Sequence, residues 1–332
     1  MKILVVGPSW VGDTVLAQPL FQRLHEQHAG LTLDVLGPPW TLPLLRRMPQ
    51  VHEALANPFG HGELALVKRW NMGRSLRTGN YDQAIVLPNS LKSAIVPWAA
   101  RIKRRTGFVG EMRYGFLNDA RVLDKKALPL MVERFAALAE GEQTKALAPL
   151  HLRVSEDNQR KVLAKLGLNT ERPIACLCPG AEYGPAKRWP VEHFAALARE
   201  LHQRGLQVWS LGSRKDADTG AQIEHLSEGV ARNLCGATGL DDAIDLLALA
   251  KLVVSNDSGL MHVAAALHRP LVALYGSSSP AFTPPLSSQA MVVKEDIECS
   301  PCFKRECPLG HFRCMKMLTP RSLIPHIERL TA

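Results

Sequence analysis

Three loops and a cysteine-bearing tail hold the residue types that could do chemistry. Gly7-Pro8-Ser9-Trp10-Val11-Gly12-Asp13-Thr14 has the glycine spacing of a Walker-type phosphate loop, but Asp13 stands where the phosphate-binding lysine belongs. A carboxylate there repels a triphosphate, and the Gly-x-Gly-x-x-Gly spacing of a dinucleotide loop is missing too. Asp13 therefore reads either as a helix-terminal acid favoured by the macrodipole or as a functional carboxylate at the end of a strand. The segment Pro179–Pro190 (PGAEYGPAKRWP) places Lys187 and Arg188 beside a helix start, where positive charge is unfavourable without a partner. A phosphate held between these cations and backbone amides would supply one; two solvated cations are the plainer alternative, more natural for Arg188 than for Lys187.

Ser255-Asn256-Asp257-Ser258-Gly259-Leu260-Met261-His262 repeats the strand-loop-helix pattern, with small residues whose amides can approach a diphosphate. Ser258, Gly259 and Leu260 would donate; alternatively Asp257 or Ser258 caps a helix and His262 packs in the core. Neither loop makes the Gly-x-Ser-x-Gly nucleophile elbow of a hydrolase. Asp216-Ala217-Asp218 matches a short metal-binding pattern of sugar transferases. After a strand, however, Asp216 more naturally accepts from a ribose hydroxyl. In the tail, Cys299, Cys302, Cys307 and Cys314, with His311 nearby, offer four thiolates for one tetrahedral zinc or are four reduced thiols. Cys176, Cys178 and Cys235 lie in or beside strand-like runs and read as core.

These residues need a scaffold, and apolar periodicity outlines it. Lys2–Val6, Leu31–Leu36, Gln83–Leu87 and Arg104–Phe108 read as strands, with one helix running through Val15, Leu16, Leu20 and Leu24 and another from about Ser90. After a helix capped by Ser155 and ended by Gly167, the polar stretch 169–173 resembles a linker. The alternation then restarts: strand Ile174–Cys178, helix Val191–Arg204, strand Gln207–Leu211, helix Asp241–Ala250, strand Leu252–Ser255, a helix from about Ser258 and strand Leu271–Tyr275. The pattern predicts an α/β protein of two Rossmann-like domains, 1–168 and 169–332, whose ligand loops lie at the carboxyl ends of parallel strands and face one cleft. A chain of 332 residues, 46% of them hydrophobic, is long enough for two cores.

Net charge of +9 favours anionic partners such as nucleotides, phosphorylated glycans or membrane faces. Basic residues are densest at Arg101, Lys103, Arg104, Arg105 and Arg113, but no nucleic-acid-binding signature accompanies them, so nucleic acid is not an expected partner. No apolar run reaches the roughly 18–20 residues of a membrane span, and the first apolar run stops at Gly7, so a cytoplasmic protein is expected.

Taken together, Gly7–Thr14, Leu87–Ser90, Arg105–Gly107 with Gly110–Gly115, Pro179–Pro190 and Asn256–His262 followed by Tyr275-Gly276 resemble the lipopolysaccharide ADP-heptosyltransferases over residues 1–286. The Arg105–Gly115 and Pro179–Pro190 segments are more similar to the type II than to the type I enzymes. The resemblance implies a GT-B architecture of two facing domains, with an ADP-heptose donor held by the C-terminal half. The lipid A–inner-core acceptor would be held by the N-terminal half at the inner face of the cytoplasmic membrane. It implies Asp13 as general base, Lys187 beside the donor diphosphate, Asp216 at the ribose, and Asp257, Ser258, Gly259, Leu260 and His262 as the phosphate-binding turn. Arg105 and Arg113 would face the acidic acceptor, and catalysis would need no cofactor. The implied reaction is inverting transfer of heptose to the first heptose of the inner core. Transfer to Kdo, a non-catalytic nucleotide-sugar-binding module and, from the two α/β halves alone, a nicotinamide-dependent dehydrogenase are the alternatives.

Overall fold

The computed structural model describes residues 1–60, 62–140 and 146–331. The chain divides into two compact units, Met1–Pro149 and Leu150–Ala332. In the first, strands β1 (Lys2–Val6), β2 (Thr32–Gly37), β3 (Glu53–Ala56), β4 (Gln83–Val86), β5 (Arg104–Phe108) and β6 (Asp119–Arg121) form one sheet. Helices α1 (Val11–Leu16), α2 (Gln18–Gln27), α3 (Leu42–Arg46), α4 (Leu66–Ser75), α5 (Leu91–Ala99) and α6 (Met131–Ala136) accompany it. Every strand pairing is parallel and the order is β3-β2-β1-β4-β5-β6.

In the second unit the strands are β7 (Ile174–Cys178), β8 (Gln207–Ser210), β9 (Ala231–Asn233), β10 (Ala250–Asn256), β11 (Leu271–Tyr275) and β12 (Ala290–Lys294). Its helices are α7 (Glu156–Leu166), α8 (Val191–Gln203), α9 (Ala217–Leu226), α10 (Leu240–Leu247), α11 (Gly259–Ala266), α12 (Arg313–Lys316) and α13 (Pro320–Thr331). The sheet is again wholly parallel, in the order β12-β11-β10-β7-β8-β9. Numbered from its own first strand, each unit has the order 3-2-1-4-5-6, the doubly wound Rossmann arrangement. The strand order reverses between β1 and β4 in one unit and between β7 and β10 in the other. Crevices that take ligands in such sheets open beyond the carboxyl ends of those strands.

Burial explains why apolar runs were readable as strands: β7 and β11 are buried throughout, with helices covering both faces. Three expectations change. The helix after Gly7 is broken at Ala17 into α1 and α2, because Pro19 has no N–H to donate to Val15 and its ring crowds that carbonyl. The helix expected over Asp241–Ala250 is Leu240–Leu247, and Ala250 already pairs with Ile174 in the sheet. The division between units falls at Pro149/Leu150 and not within 169–173. Helix α7 belongs to the second unit, where Ser155 N donates to Asp245 Oδ1 at 2.8 Å. Asn158 Nδ2 donates to both Asp242 and Asp245. Its caps are those expected: Ser155 Oγ accepts from Asn158 N, and Gly167 takes a left-handed conformation with φ 58°.

Candidate functional site

In the first unit, β1 leads through Gly7 into the loop before α1. Gly7 N donates to Leu36 O at 2.9 Å, which extends the ladder with β2, and Trp40 Nε1 ties Ser9 O from outside. Trp10 is the extended cap residue of α1, and Thr14 Oγ1 donates to Trp10 O at 2.8 Å. Asp13 is thus the third residue of the helix and not its opener. It is half-buried in the first turn, where the amide dipoles favour a carboxylate, one loop beyond the central strand of the sheet.

Arg113 lies where sequence alone does not put it. It was expected to face an acceptor, yet it is 1% exposed and its guanidinium is consumed by the chain. Nε and Nη2 donate to Phe108 O, Nη1 to Pro88 O and Ser93 Oγ, and Nη2 also to Asn89 Oδ1. Burial pushes its pKa down to about 10, with Glu111 acting the other way, so it stays a cation at neutral pH. Arg105 is half-buried and similarly spent on Phe116 O and Ile102 O. Both arginines brace the loops after β4 and β5, leaving Arg101 and Lys103 as the exposed cations of the cluster.

In the second unit the loops after β7 and β10 are tied together. The buried Asn256 side chain donates from Nδ2 to Pro179 O at 2.7 Å and accepts at Oδ1 from Trp189 N at 3.1 Å, so it staples both ends of the 179–189 loop. Trp189 anchors the far end in the core, donating Nε1–H to Leu318 O and meeting Phe194 edge-on at 4.7 Å between centroids. Between these anchors a single 3-10 turn, Pro185–Lys187, carries Lys187, whose Nζ lies 2.5 Å from Asp257 Oδ2 and 5.2 Å from the centre of the Tyr183 ring. Asp257 is thus the partner that the cation required. Arg188 is exposed.

Ser258 caps α11 in extended conformation, with its hydroxyl 3.3 Å from that of Ser255. Beyond it Gly259 and Leu260 form the first helical turn, whose amides have no intrahelical acceptors. His262 sits one turn on, 4% exposed, and its Nδ1 has no hydrogen-bond partner. Burial pushes its pKa down to about 4; Lys187 adds to this and Asp257 opposes it, so the ring is neutral near pH 7. Just beyond β11, Ser277 and Ser278 are also buried with unpartnered hydroxyls. The sequence reading missed these serines and the staple role of Asn256; the available signal was polar residues directly after fully apolar strands.

Asp216 is buried on the turn after β8. Its Oδ2 accepts from Ser213 N and Oγ at 2.9 and 2.7 Å, and a side chain on Gly180 would start 2.6 Å from that oxygen. Asp216 therefore shapes the loops after β7 and β8 at once, whereas Asp218 is exposed. Among the described residues, the metal-competent atoms within 4.8 Å of one another belong to Asp34, His52 and Glu53. There the buried Asp34 already accepts from Tyr81 Oη and His52 Nδ1 and pairs with Lys2. Burial alone would raise its pKa, and these partners outweigh it and hold the carboxylate low. The four tail cysteines are half-buried and free. Burial and the other three thiols push Cys314 up, while the amide of Phe312 and neighbouring backbone hold Cys307 down. Burial likewise keeps Cys176, Cys178 and Cys235 protonated in the core.

The model of glycosyltransferase family 9 (heptosyltransferase) matches residues 69–313. Lipopolysaccharide heptosyltransferase 2 of Escherichia coli K12 is 48% identical over 342 residues, covering 99% of this chain and 98% of that protein. The solved structure of E. coli ADP-heptose lps heptosyltransferase II superimposes with TM-score 0.89 at 46% identity, covering 100% of this chain and 98% of the other. E. coli heptosyltransferase WaaC with ADP shares the fold at TM-score 0.73 and 21% identity, over 99% of this chain and 100% of its own. With two wholly parallel six-stranded Rossmann units of the GT-B type and this match along its length, the chain belongs to glycosyltransferase family 9, the heptosyltransferases.

Proposed function

We propose that the protein transfers heptose from ADP-heptose to the first heptose of the lipopolysaccharide inner core with inversion. The observation that carries the donor half of this reading is the pairing of half-buried Lys187 with buried Asp257 beside neutral His262, just before the first turn of α11 and at the strand-order reversal of the second sheet. Lys187 and the amides of Ser258, Gly259 and Leu260 meet the diphosphate, and Asp216 organises the ribose side. As the anomeric carbon–oxygen bond to ADP breaks, the acceptor hydroxyl attacks that carbon and passes its proton to Asp13. Lys187 and the amides stabilise the charge left on ADP. These roles need no metal.

An exposed apolar and aromatic face on the first unit suits an acceptor embedded in a membrane. Leu66, Val67 and Trp70 of α4 and Trp98 of α5 stand exposed, with Trp98 packed at a tilt between Trp70 and Phe116, ring centroids 5.2 and 4.9 Å apart. The cations Lys68, Arg74, Arg77 and Arg101 lie on or beside these elements; desolvation, Arg101 and Arg74 lower the Arg77 pKa. Among the described residues no helix is long and apolar enough to cross a membrane, so this face would engage the interfacial layer of the lipid without a helix spanning it. The test is mass spectrometry of the product from ADP-heptose and a lipid A–Kdo acceptor with or without its first heptose. A heptose added only when the first is present supports the reading. Addition to the Kdo-terminated acceptor selects the type I reaction, and donor binding with no ADP release selects a binding module.

A further inference from the structure

From Lys294 to Cys314 no residue is fully buried, and the chain has no helix or strand between β12 and α12. Phe303 and Leu309 in this stretch are 51% and 61% exposed. Such a segment has no core of its own, and long irregular loops of this kind need another constraint to hold one conformation. Yet it makes specific backbone contacts. Ser300 Oγ donates to Gly276 O at 2.7 Å and Phe303 N to Ser277 O at 2.6 Å, which seats Cys299 and Cys302 on the end of β11. Cys314 Sγ reaches the same place, 3.1 Å from where a side chain on Gly276 would begin. Cys307 is joined to it by a tight turn: Gly310 N donates to Cys307 O, and Phe312 N donates to Cys307 Sγ at 3.4 Å.

The residues between Cys302 and Cys307 grip the loop that carries Lys187. Tyr183 Oη donates to Phe303 O at 2.9 Å, Arg305 Nε to Tyr183 O at 2.7 Å, and Ala186 N to Arg305 O at 3.0 Å. Gly184 is pressed so closely against Arg305 O that a side chain there would overlap it.

We infer that Cys299, Cys302, Cys307 and Cys314 bind one soft divalent metal ion, zinc or iron, in a closed tetrathiolate site, and that this site clamps the 183–187 loop. The amide-to-sulfur bond at Cys307 is the kind of outer contact that orients a metal thiolate. Cys314 Sγ lies against Gly276, and the neighbouring backbone bonds bring the Cys299–Cys302 turn to the same strand end, but no three of the four sulfurs lie within 4.8 Å of one another, so binding must draw them inward. With all four positions filled by thiolates the ion has no open site for chemistry, and its effect passes through loop order. The clamp's effect on transfer rests on the proposed donor role of Lys187; metal binding itself does not.

The test begins with elemental analysis of the full chain purified under reductant from medium containing both zinc and iron. About one equivalent of one metal per chain is expected, colourless either for zinc or for reduced iron; mild oxidation should bring out a visible thiolate-to-iron band only if the metal is iron. Cobalt substitution should give tetrahedral thiolate bands. Cys302→Ser should lower metal content at least about fivefold, and Cys302→His should restore much of it. Hydrogen exchange of amides 183–187 should quicken about tenfold in the serine variant and return in the histidine variant, with ADP-heptose KM following the same order more than kcat. Metal below about a tenth of an equivalent overturns the site. Metal present with loop exchange unchanged in the serine variant overturns the clamp. Wild-type protein that holds metal and an ordered loop but ignores ADP-heptose overturns the donor reading alone.

Discussion

Lys187 and Asp257 are a charge pair of which the carboxylate side is 4% exposed and the ammonium side 18%. Removing one partner of such a pair costs about 3–5 kcal/mol because the other charge stays buried. Lys187→Ala should therefore lower both stability and turnover, the latter by about 10²-fold if the cation stabilises departing ADP. Adding Asp257→Asn should recover most of the stability and none of the rate; recovery of both in denaturant titration and ADP-release assays would make Lys187 a structural cation. Asp13 differs, since its charge sits at the positive end of a short helix. Asp13→Asn preserves shape and should reduce kcat by about 10²–10⁴-fold with ADP-heptose affinity near normal by calorimetry. Full turnover would leave it a dipole-stabilised acid only.

His262 makes a pH prediction of definite sign. Its folded pKa of about 4 lies below the ordinary 6.5, so between those values the unfolded chain binds a proton that the folded chain refuses. Its stabilising share is complete above pH 6.5 and is lost on acidification towards pH 4, at up to ~1.4 kcal/mol per pH unit. Urea titrations of wild type and His262→Gln from pH 7 to 4.5 should diverge, the variant showing the shallower fall.

At the scale of elements, the loops matter through what holds them. Arg113 gathers the carbonyls of Pro88 and Phe108 with the side chains of Ser93 and Asn89, joining the ends of β4 and β5. A lysine has neither the fork nor the donors to reach them all. Arg113→Lys should cost about 3 kcal/mol, as two or more charge-assisted bonds are lost. Arg101→Ala, at an exposed position, should stay within about 0.5 kcal/mol while raising the acceptor KM. Equal effects of the two on stability would refute the bracing role.

For the molecule as a whole, the +9 charge and the exposed face of α4 and α5 act in the same direction. Binding to vesicles containing anionic lipid should be measurable at low salt and fade as ionic strength rises, because surface charges are screened beyond about 10 Å at 0.1 M. Val67 is 73% exposed, so Val67→Asp should weaken sedimentation with vesicles several-fold and leave the melting temperature unchanged. Salt-insensitive or unaltered sedimentation would count against this face.

What the sequence determined by itself was local. Buried parallel strands such as Ile174–Cys178 and Leu271–Tyr275 must be apolar throughout, and Ser155 and Gly167 mark helix α7 because orphan amides and a left-handed turn require those residue types. Asp13, Lys187 and the Asp257–His262 turn stood out as candidates because each lies in the loop or the first helical turn that follows a strand. Tertiary structure decided who meets whom. Asp257 as the partner of Lys187 is 70 residues away, Arg113 is withdrawn among the Pro88 carbonyl and the Asn89 and Ser93 side chains 20 to 25 residues back, and helix α7 joins the second unit through Asp245, 87 to 90 residues on. Those pairings depend on strand order, which brings β7 beside β10 and β4 beside β5. A charge or donor is satisfied by whatever the fold sets within about 3 Å, at no fixed spacing along the chain.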